Sequence, residues 1–196
     1  MSDISFVIGN GLSRQSINLP KLKFKGTVYG CNALYRDFAP HHLIAVDKRM
    51  VIEIINSGYH NHHSVWTNSN KELNNIKNLN IFEKSLGWSS GPTALHMASK
   101  LEPKEIYILG FDFKGIGDDN SKFNNVYADS NNYKMSSEPA TFCGNWIRQT
   151  QKTIKDYGTV KYYRVITPYN FCPSELNNCV NLSNITVEDF KNKFEL

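Results

Sequence analysis

The chain opens with a strand-like run followed by a turn whose residues suit the binding of a phosphate group. The apolar run Ile4–Ile8 leads directly into Gly9-Asn10-Gly11-Leu12-Ser13. Because glycine has no Cβ, backbone amides in such a turn can approach a bound group closely, and α/β proteins hold nucleotide phosphates with loops of this kind. The turn lacks the third glycine of a dinucleotide signature and the lysine of a P-loop. Judged alone, it is equally well explained as a tight structural turn.

Three further polar clusters stand beside predicted elements. Asn32 and Asp47 each follow an apolar run, and Ser89-Ser90-Gly91 precede a predicted helix. A helix N-terminus offers free amides and a partial positive charge, which favour an anion. Each polar side chain has a structural alternative, since asparagine, aspartate and serine also cap helices. Because the carboxyl ends of parallel strands meet at one edge of a sheet, we expect these clusters to converge around a nucleotide.

The rest of the chain alternates strand-like and helix-like segments. Continuous apolar or β-branched runs are typical of strands covered on both faces. The alternation predicts an α/β, Rossmann-like fold, with a mostly parallel sheet of about six to seven strands and helices on both faces. The predicted strands are Ile4–Ile8, Thr27–Cys31, Leu43–Val46, Ser64–Thr67, Asn80–Phe82, Glu105–Leu109 and Lys161–Ile166, and the predicted helices are Lys48–Asn56, Pro92–Lys100, Pro139–Tyr157 and Val187–Phe194.

One long segment shows no periodicity. Between Phe113 and Ser137 the chain is rich in Gly, Asp, Asn, Ser and Lys, a composition typical of a lid, a binding loop or disorder. Because this segment follows a predicted strand, we expect a lid at about 113–137, over the carboxyl edge of the sheet. Tyr127 and Tyr133 are expected to stack on a sugar or a base, with anchoring of the loop to the core as the alternative.

Length, charge and cysteine content favour a single domain, residues 1–196, in a reducing compartment. A chain of 196 residues can bury a core without disulfides or a structural metal. Without a membrane-spanning run or a signal-peptide pattern, a cytoplasmic location is expected. The four cysteines and six histidines lack metal-binding spacing, and Asp118-Asp119 is not a D-x-D pair, so no metal ligand is predicted. The net charge of +4 permits an anionic ligand without requiring nucleic acid.

Taken in order, the motifs resemble the small single-domain bacterial sialyltransferases of glycosyltransferase family 42, and more loosely other Rossmann-like proteins that begin with a G-N-G-x-S turn. The resemblance spans most of the chain, and its most specific piece is the block from Lys104 to Phe113. The matching motifs are Gly9-Asn10-Gly11-Leu12-Ser13, Gly30-Cys31-Asn32-Ala33-Leu34-Tyr35, Ser89-Ser90-Gly91, Lys104-Glu105-Ile106-Tyr107-Ile108-Leu109-Gly110-Phe111-Asp112-Phe113 and Cys172-Pro173.

This resemblance implies an inverting, metal-independent glycosyltransferase that moves a sugar from a CMP- or UDP-sugar donor to an acceptor. The acceptor is left open: the mild positive charge suits an anionic glycan, and it also suits a modified base in DNA of the kind that a phage enzyme would glycosylate. No cofactor is required besides the nucleotide-sugar, which is a substrate. The residues implied in donor binding are Gly9, Asn10, Gly11, Ser13, Asn32, Asp47, Ser89, Ser90 and Gly91.

The chain departs from the family at the reacting centre. Asp47 stands where the family has an asparagine near the nucleoside, and Lys114 stands where it has a tyrosine that neutralises the departing phosphate. A lysine performs that neutralisation at least as well. The family's histidine base is missing from the lid, and Asp129 is the nearest substitute. We therefore expect Lys114 and Tyr127 to act on the leaving group and Asp129 to take the acceptor proton, unless Asp129 is a solvated loop residue.

Two other functions remain open from the sequence. The missing histidine favours a nucleotide-binding protein without catalysis. A Mg²⁺-dependent pyrophosphokinase or nucleotide hydrolase on the same scaffold would instead place Asp47, Asp112 or Asp118 on the ion. Because Rossmann-like sheets host many chemistries, the fold alone does not choose among these functions.

Overall fold

A computed structural model describes residues 3–117, 121–168 and 170–196. The described chain forms one eight-stranded sheet, in the order β5-β4-β3-β2-β1-β6-β7-β8, and all neighbouring strands run parallel. The strands are β1 (Ile4–Ile8), β2 (Thr27–Cys31), β3 (His42–Ile44), β4 (Val65–Asn68), β5 (Leu79–Phe82), β6 (Glu105–Leu109), β7 (Lys161–Ile166) and β8 (Leu182–Thr186), and the helices are α1 (Leu19–Leu22), α2 (Lys48–Asn56), α3 (Ser90–Ser99), α4 (Gly144–Asp156) and α5 (Val187–Phe194).

The predicted α/β, Rossmann-like architecture is confirmed, but the sheet has eight strands rather than six to seven. The additional strand is β8, which pairs with β7 at one edge of the sheet. Its sequence contains Ser183, Asn184 and Thr186, and none of its five residues is fully buried. An edge strand is exposed along one side, so it lacks the continuous apolar run by which the central strands are recognised.

Helices cover both faces of the sheet, as the alternation predicts. Side chains along a strand alternate between the two faces. In β1, Phe6 and Ile8 therefore pack into the core with α1, α2 and α5. Val7, between them, points to the opposite face and packs with α3 and α4. The β1 strand is consequently buried on both sides, which explains its uninterrupted apolar sequence.

The helix beginnings differ in how far they follow the sequence pattern. Helix α2 begins at Lys48 as predicted, and the Asp47 carboxylate caps it by accepting a hydrogen bond from the Arg49 amide at 2.9 Å. Helix α4 was predicted from Pro139 but begins at Gly144. Residue Pro139 instead pairs in a short β-bridge with Lys122, so the lid extends a few residues beyond its predicted end.

The order of strands reverses between β1 and β6. Successive strands run outward from β1 to β5 on one side, and from β6 to β8 on the other. In open parallel sheets the loops leaving the two central strands diverge at such a point, and the crevice between them is where ligands bind. No helix among the described residues is long and apolar enough to cross a membrane.

Candidate functional site

A cavity lies at the carboxyl edge of the sheet, where the strand order reverses. It encloses about 770 Å³ when its open mouth is included, a size suited to a small-molecule ligand. Its walls come from the turn after β1, the end of β2, the start of α3, the turn after β6, the lid and the start of α4. The residues predicted from the sequence that line it are Gly9, Asn10, Gly11, Asn32, Ser89, Ser90, Gly91 and Lys114.

The turn after β1 uses its amides inside the protein. The Gly9 amide donates to the Leu109 carbonyl at 2.8 Å, and the Gly11 amide donates to the Gly110 carbonyl at 2.9 Å. The next two amides, of residues 12 and 13, donate to side-chain oxygens at 3.0 and 3.1 Å. The expectation that this turn wraps its amides around a bound phosphate is therefore revised, because four of these amides already have acceptors.

The two glycines of this turn are required by the neighbouring turn. A Cβ on Gly9 would stand 2.6 Å from the carbonyl oxygen of Gly110, and one on Gly11 would stand 2.4 Å from the Asp112 carboxyl carbon. Such distances are shorter than any ordinary contact, so a side chain at either position would force the neighbouring groups to shift. The G-N-G motif thus records the close packing of the β1 and β6 turns, which together form the cavity floor.

Ser13 is buried and lies outside the cavity lining, but it holds a residue that does line it. Its hydroxyl donates to Asp112 Oδ1 at 2.5 Å, and its amide donates to Asp112 Oδ2 at 3.1 Å. Asp112 is 6% exposed and lines the cavity. Charged acceptors form the stronger hydrogen bonds, so this pair fixes the carboxylate against the turn after β1.

Asn10 joins three parts of the fold beneath the cavity. Its Nδ2 donates to the Cys31 carbonyl at 3.1 Å and to the Tyr133 hydroxyl at 3.4 Å. Its side-chain oxygen, Oδ1, lies 3.5 Å from Nη2 of buried Arg14. The side chain therefore ties β1 to β2 and to the lid while the residue itself lines the cavity.

Asn32 presents a polar atom that has no hydrogen-bond partner among the described residues. Its backbone is left-handed, with φ at 53°, a conformation that asparagine tolerates better than most residues. Its Oδ1 is buried and accepts no hydrogen bond from the described residues. A buried carbonyl oxygen without a partner costs free energy, so a ligand donor in the cavity would relieve that cost.

Two helices begin at the cavity wall. Ser90 and Gly91 form the first turn of α3, and Trp146 lies in the first turn of α4. Neither first turn contains an acidic residue. The Ser90 hydroxyl accepts from the Val46 amide at 3.0 Å, which fixes the start of α3 against the segment that follows β3. Both helix dipoles therefore place partial positive charge near the cavity.

Lys114 adds a full positive charge to the same wall. The side chain is half-buried, and it forms no ion pair within residues 3–117, 121–168 and 170–196. The backbone carbonyl of Lys114 accepts a hydrogen bond from Asn124 Nδ2 at 2.9 Å, and Asn124 Oδ1 in turn accepts one from the Leu12 amide. The backbone of Lys114 is thus fastened to the turn after β1.

The described part of the lid packs on the body of the domain. The Val126 amide donates to the Asn10 carbonyl at 2.8 Å. Tyr127 is buried outside the cavity lining, where its hydroxyl donates to Asp37 at 2.7 Å and accepts from Arg14 at 3.0 Å. Burial and the Asp37 carboxylate raise the pKa of Tyr127. Tyr127 therefore anchors the loop in this conformation, which is the alternative that the sequence left open.

Two predicted carboxylates lie outside the cavity lining. Asp47 is exposed and caps α2. Asp129 is exposed in a left-handed turn at φ 65°, where its carboxylate accepts from the Ser136 amide at 2.8 Å. That hydrogen bond lowers the pKa of Asp129. Both side chains serve local turns because short carboxylates bond readily to nearby amides. Asp118 and Asp119 lie outside the described residues.

Several lining residues carry no sequence signal for this role. Phe123, Trp146 and Cys31 line the cavity, yet each reads as an ordinary core or loop residue in the sequence. Burial raises the pKa of the Cys31 thiol to about 12, so it stays protonated and is a poor nucleophile. Within the described chain, no three His, Cys, Asp or Glu side chains form a group that could hold a metal ion.

Comparison of this chain with protein-family models, with curated proteins and with solved structures finds no match. The likeness to glycosyltransferase family 42 is therefore an expectation drawn from sequence motifs alone. What bears on function is the cavity and the groups that line it.

Proposed function

We propose that the protein binds a nucleotide-sugar in the cavity and transfers its sugar to an acceptor. One observation carries this proposal: the G-N-G turn, Asn32, the start of α3 and Lys114 line a single cavity where the strand order reverses. This is the place where doubly wound sheets bind nucleotides. The sequence motifs and the cavity lining are largely the same residues.

The charges of the cavity suit the phosphate of such a donor. In this proposal the phosphate lies against the start of α3, at Ser90 and Gly91, with the ammonium group of Lys114 beside it. The Oδ1 of Asn32, which has no partner among the described residues, accepts a hydrogen bond from the nucleoside. As the bond to the sugar breaks, negative charge grows on the departing phosphate, and Lys114 neutralises it without a metal ion.

The acceptor proton needs a base. Asp129 would have to leave its turn with Ser136 to reach the cavity, whereas Asp112 already lines it. Each carboxylate oxygen of Asp112 accepts one hydrogen bond from Ser13 and retains a further lone pair. Asp112 is therefore a second candidate for the base. The variants D129N and D112N distinguish the two candidates, because only the variant that lacks the base should lose donor turnover.

Calorimetry tests donor binding. The ligands are CMP, UMP and GMP together with CMP-, UDP- and GDP-sugars. We expect at least one nucleotide and its nucleotide-sugar to bind. The K114M variant should weaken that binding by about tenfold through loss of a phosphate contact. The control K100M removes an exposed lysine at the far end of α3 and should bind normally. Absence of binding across the panel refutes the proposal.

A second function is favoured by one observation. The described cavity lining has no histidine, and Asp129 lies elsewhere, as expected of a nucleotide-binding protein without catalysis. This function predicts tight nucleotide binding, no turnover of any donor, and an unchanged affinity in D129A.

If donor turnover is seen, the salt dependence of acceptor affinity distinguishes a DNA acceptor from a glycan, because DNA binding weakens steeply with salt.

A further inference from the structure

Arg164 is the largest fully buried side chain of the described protein, at 2% exposure. It lies in β7, beside β6, and has no ion-pair partner among the residues that the structure describes. A buried charge is costly unless hydrogen bonds satisfy it. The guanidinium donates from Nε to the Phe111 carbonyl at 2.9 Å, and from Nη2 to the Phe171 carbonyl at 2.8 Å and the Asp112 carbonyl at 3.4 Å.

The turn that Arg164 holds is the one that leads into Lys114. Phe111, Asp112 and Phe113 all line the cavity. Phe113 adopts φ 54°, a left-handed conformation that is strained for a bulky residue and persists only where surrounding contacts enforce it. The Arg164 guanidinium lies 5.0 Å from the centroid of the Phe113 ring. It thus contacts both the backbone and the ring of this strained turn.

We propose that Arg164 is a positioning residue, which fixes the turn 111–113 so that the following Lys114 faces the anionic group bound in the cavity. The inference rests on the proposed function, since it requires an anion at Lys114. Arginine suits this task because its planar group directs several donors at once, and a lysine ammonium does not reproduce that geometry.

A double-mutant cycle on nucleotide affinity tests this role. The probe is whichever of CMP, UMP or GMP binds the wild type, measured by calorimetry with R164M, K114M and the double variant. If Arg164 acts through Lys114, each single variant weakens binding by about tenfold, and R164M costs less than about threefold in the K114M background. Equal losses in both backgrounds overturn the proposal. R49M, an exposed arginine in α2, is the matched control.

R164K keeps the test decisive should R164M fail to fold. This variant retains the charge and loses the planar fork, so we expect weakened nucleotide binding with an intact far-UV circular dichroism spectrum. Wild-type affinity in R164K overturns the proposal. If the wild type binds no nucleotide, the proposed function fails first. The positioning claim is then judged by residue-resolved acetylation, in which R164K should change the labelling rate of Lys114 relative to Lys100, and an unchanged rate overturns it.

Discussion

Gly11 is the residue at which the packing of the cavity floor is most exacting. All three carboxyl atoms of Asp112 would lie within 2.8 Å of a Cβ at this position, and Ser13 prevents the carboxylate from moving away. We expect G11A to destabilise the protein by about 1–3 kcal/mol, the usual cost of overpacking. It should also weaken nucleotide binding. Urea denaturation and calorimetry measure the two effects.

Gly158 provides the matched control for that prediction. A Cβ there meets nothing within 4 Å, and the residue is exposed. G158A should therefore leave stability unchanged or raise it slightly, since alanine restricts the unfolded chain. Equal stabilities of G11A and G158A would show that the turns after β1 and β6 can move apart at little cost in free energy.

Side-chain direction limited what the sequence could predict for individual residues. Asn32 and Ser90 line the cavity, as expected from their position after a strand and before a helix. Asp47 has a similar position, but its carboxylate bonds to the Arg49 amide and stays outside the lining. Both uses of a short polar side chain fit the same sequence pattern, so only the three-dimensional contacts distinguish them.

The lid is fastened to the body of the domain by an ion pair at the edge of α2. Arg36 and Glu53 approach within 2.6 Å, and each side chain is about one-fifth exposed. Arg36 also donates to the Ser130 hydroxyl and the Asn131 carbonyl, while Glu53 accepts from Asn132 at 2.6 Å. The pair therefore holds three consecutive lid residues, and its loss should free this part of the lid.

E53Q should loosen the lid more than the rest of the fold. Removing the charge leaves Arg36 without its ion-pair partner, so we expect amide hydrogen exchange at residues 126–133 to rise by about tenfold, while exchange in β1 and β6 changes little. D156N removes the exposed pair between Asp156 and Lys152. That variant should leave lid exchange unaltered, because exposed pairs contribute little. A uniform rise across the sheet in E53Q would contradict the local role.

Elements were predictable where burial imposes a pattern on the sequence. Strand β1, strand β6 and helix α2 have their predicted bounds, since continuous apolar runs and helical periodicity mark buried segments. The predicted start of α4 at Pro139 is wrong, because Pro139 pairs with Lys122 in a β-bridge instead of beginning the helix. Such long-range pairing has no local signature.

The order of the strands belongs to the molecule as a whole. Strand β1 pairs with β2, its successor in the chain, and also with β6, from which four strands and three helices separate it. The sequence predicts a parallel sheet from its buried strands, but this second pairing is set by tertiary packing. The position of the cavity depends on that pairing, because the turns after β1 and β6 form its floor.

The stability of the protein should fall in mild acid because of three histidines, two at the start of β3 and one shortly before β4. Burial and nearby Lys23 lower the pKa of His41, burial and His41 lower that of His42, and burial, Lys23 and His62 lower that of His63. His41 Nδ1 also accepts a hydrogen bond from the Val28 amide at 3.0 Å, a bond that protonation of this nitrogen abolishes.

Proton linkage gives the direction in which the free energy of unfolding changes with pH. Because these pKa values are lower in the folded protein, the unfolded chain binds protons first as the pH falls below about 6.5, the ordinary value for histidine. The free energy of unfolding should therefore be constant above that pH and decrease below it. The urea midpoint measured at pH 7.5 and pH 5.5 checks this. H41N retains an acceptor for the Val28 amide without titrating, so it should show a smaller decrease. An equal decrease in both proteins would assign the acid sensitivity to other groups.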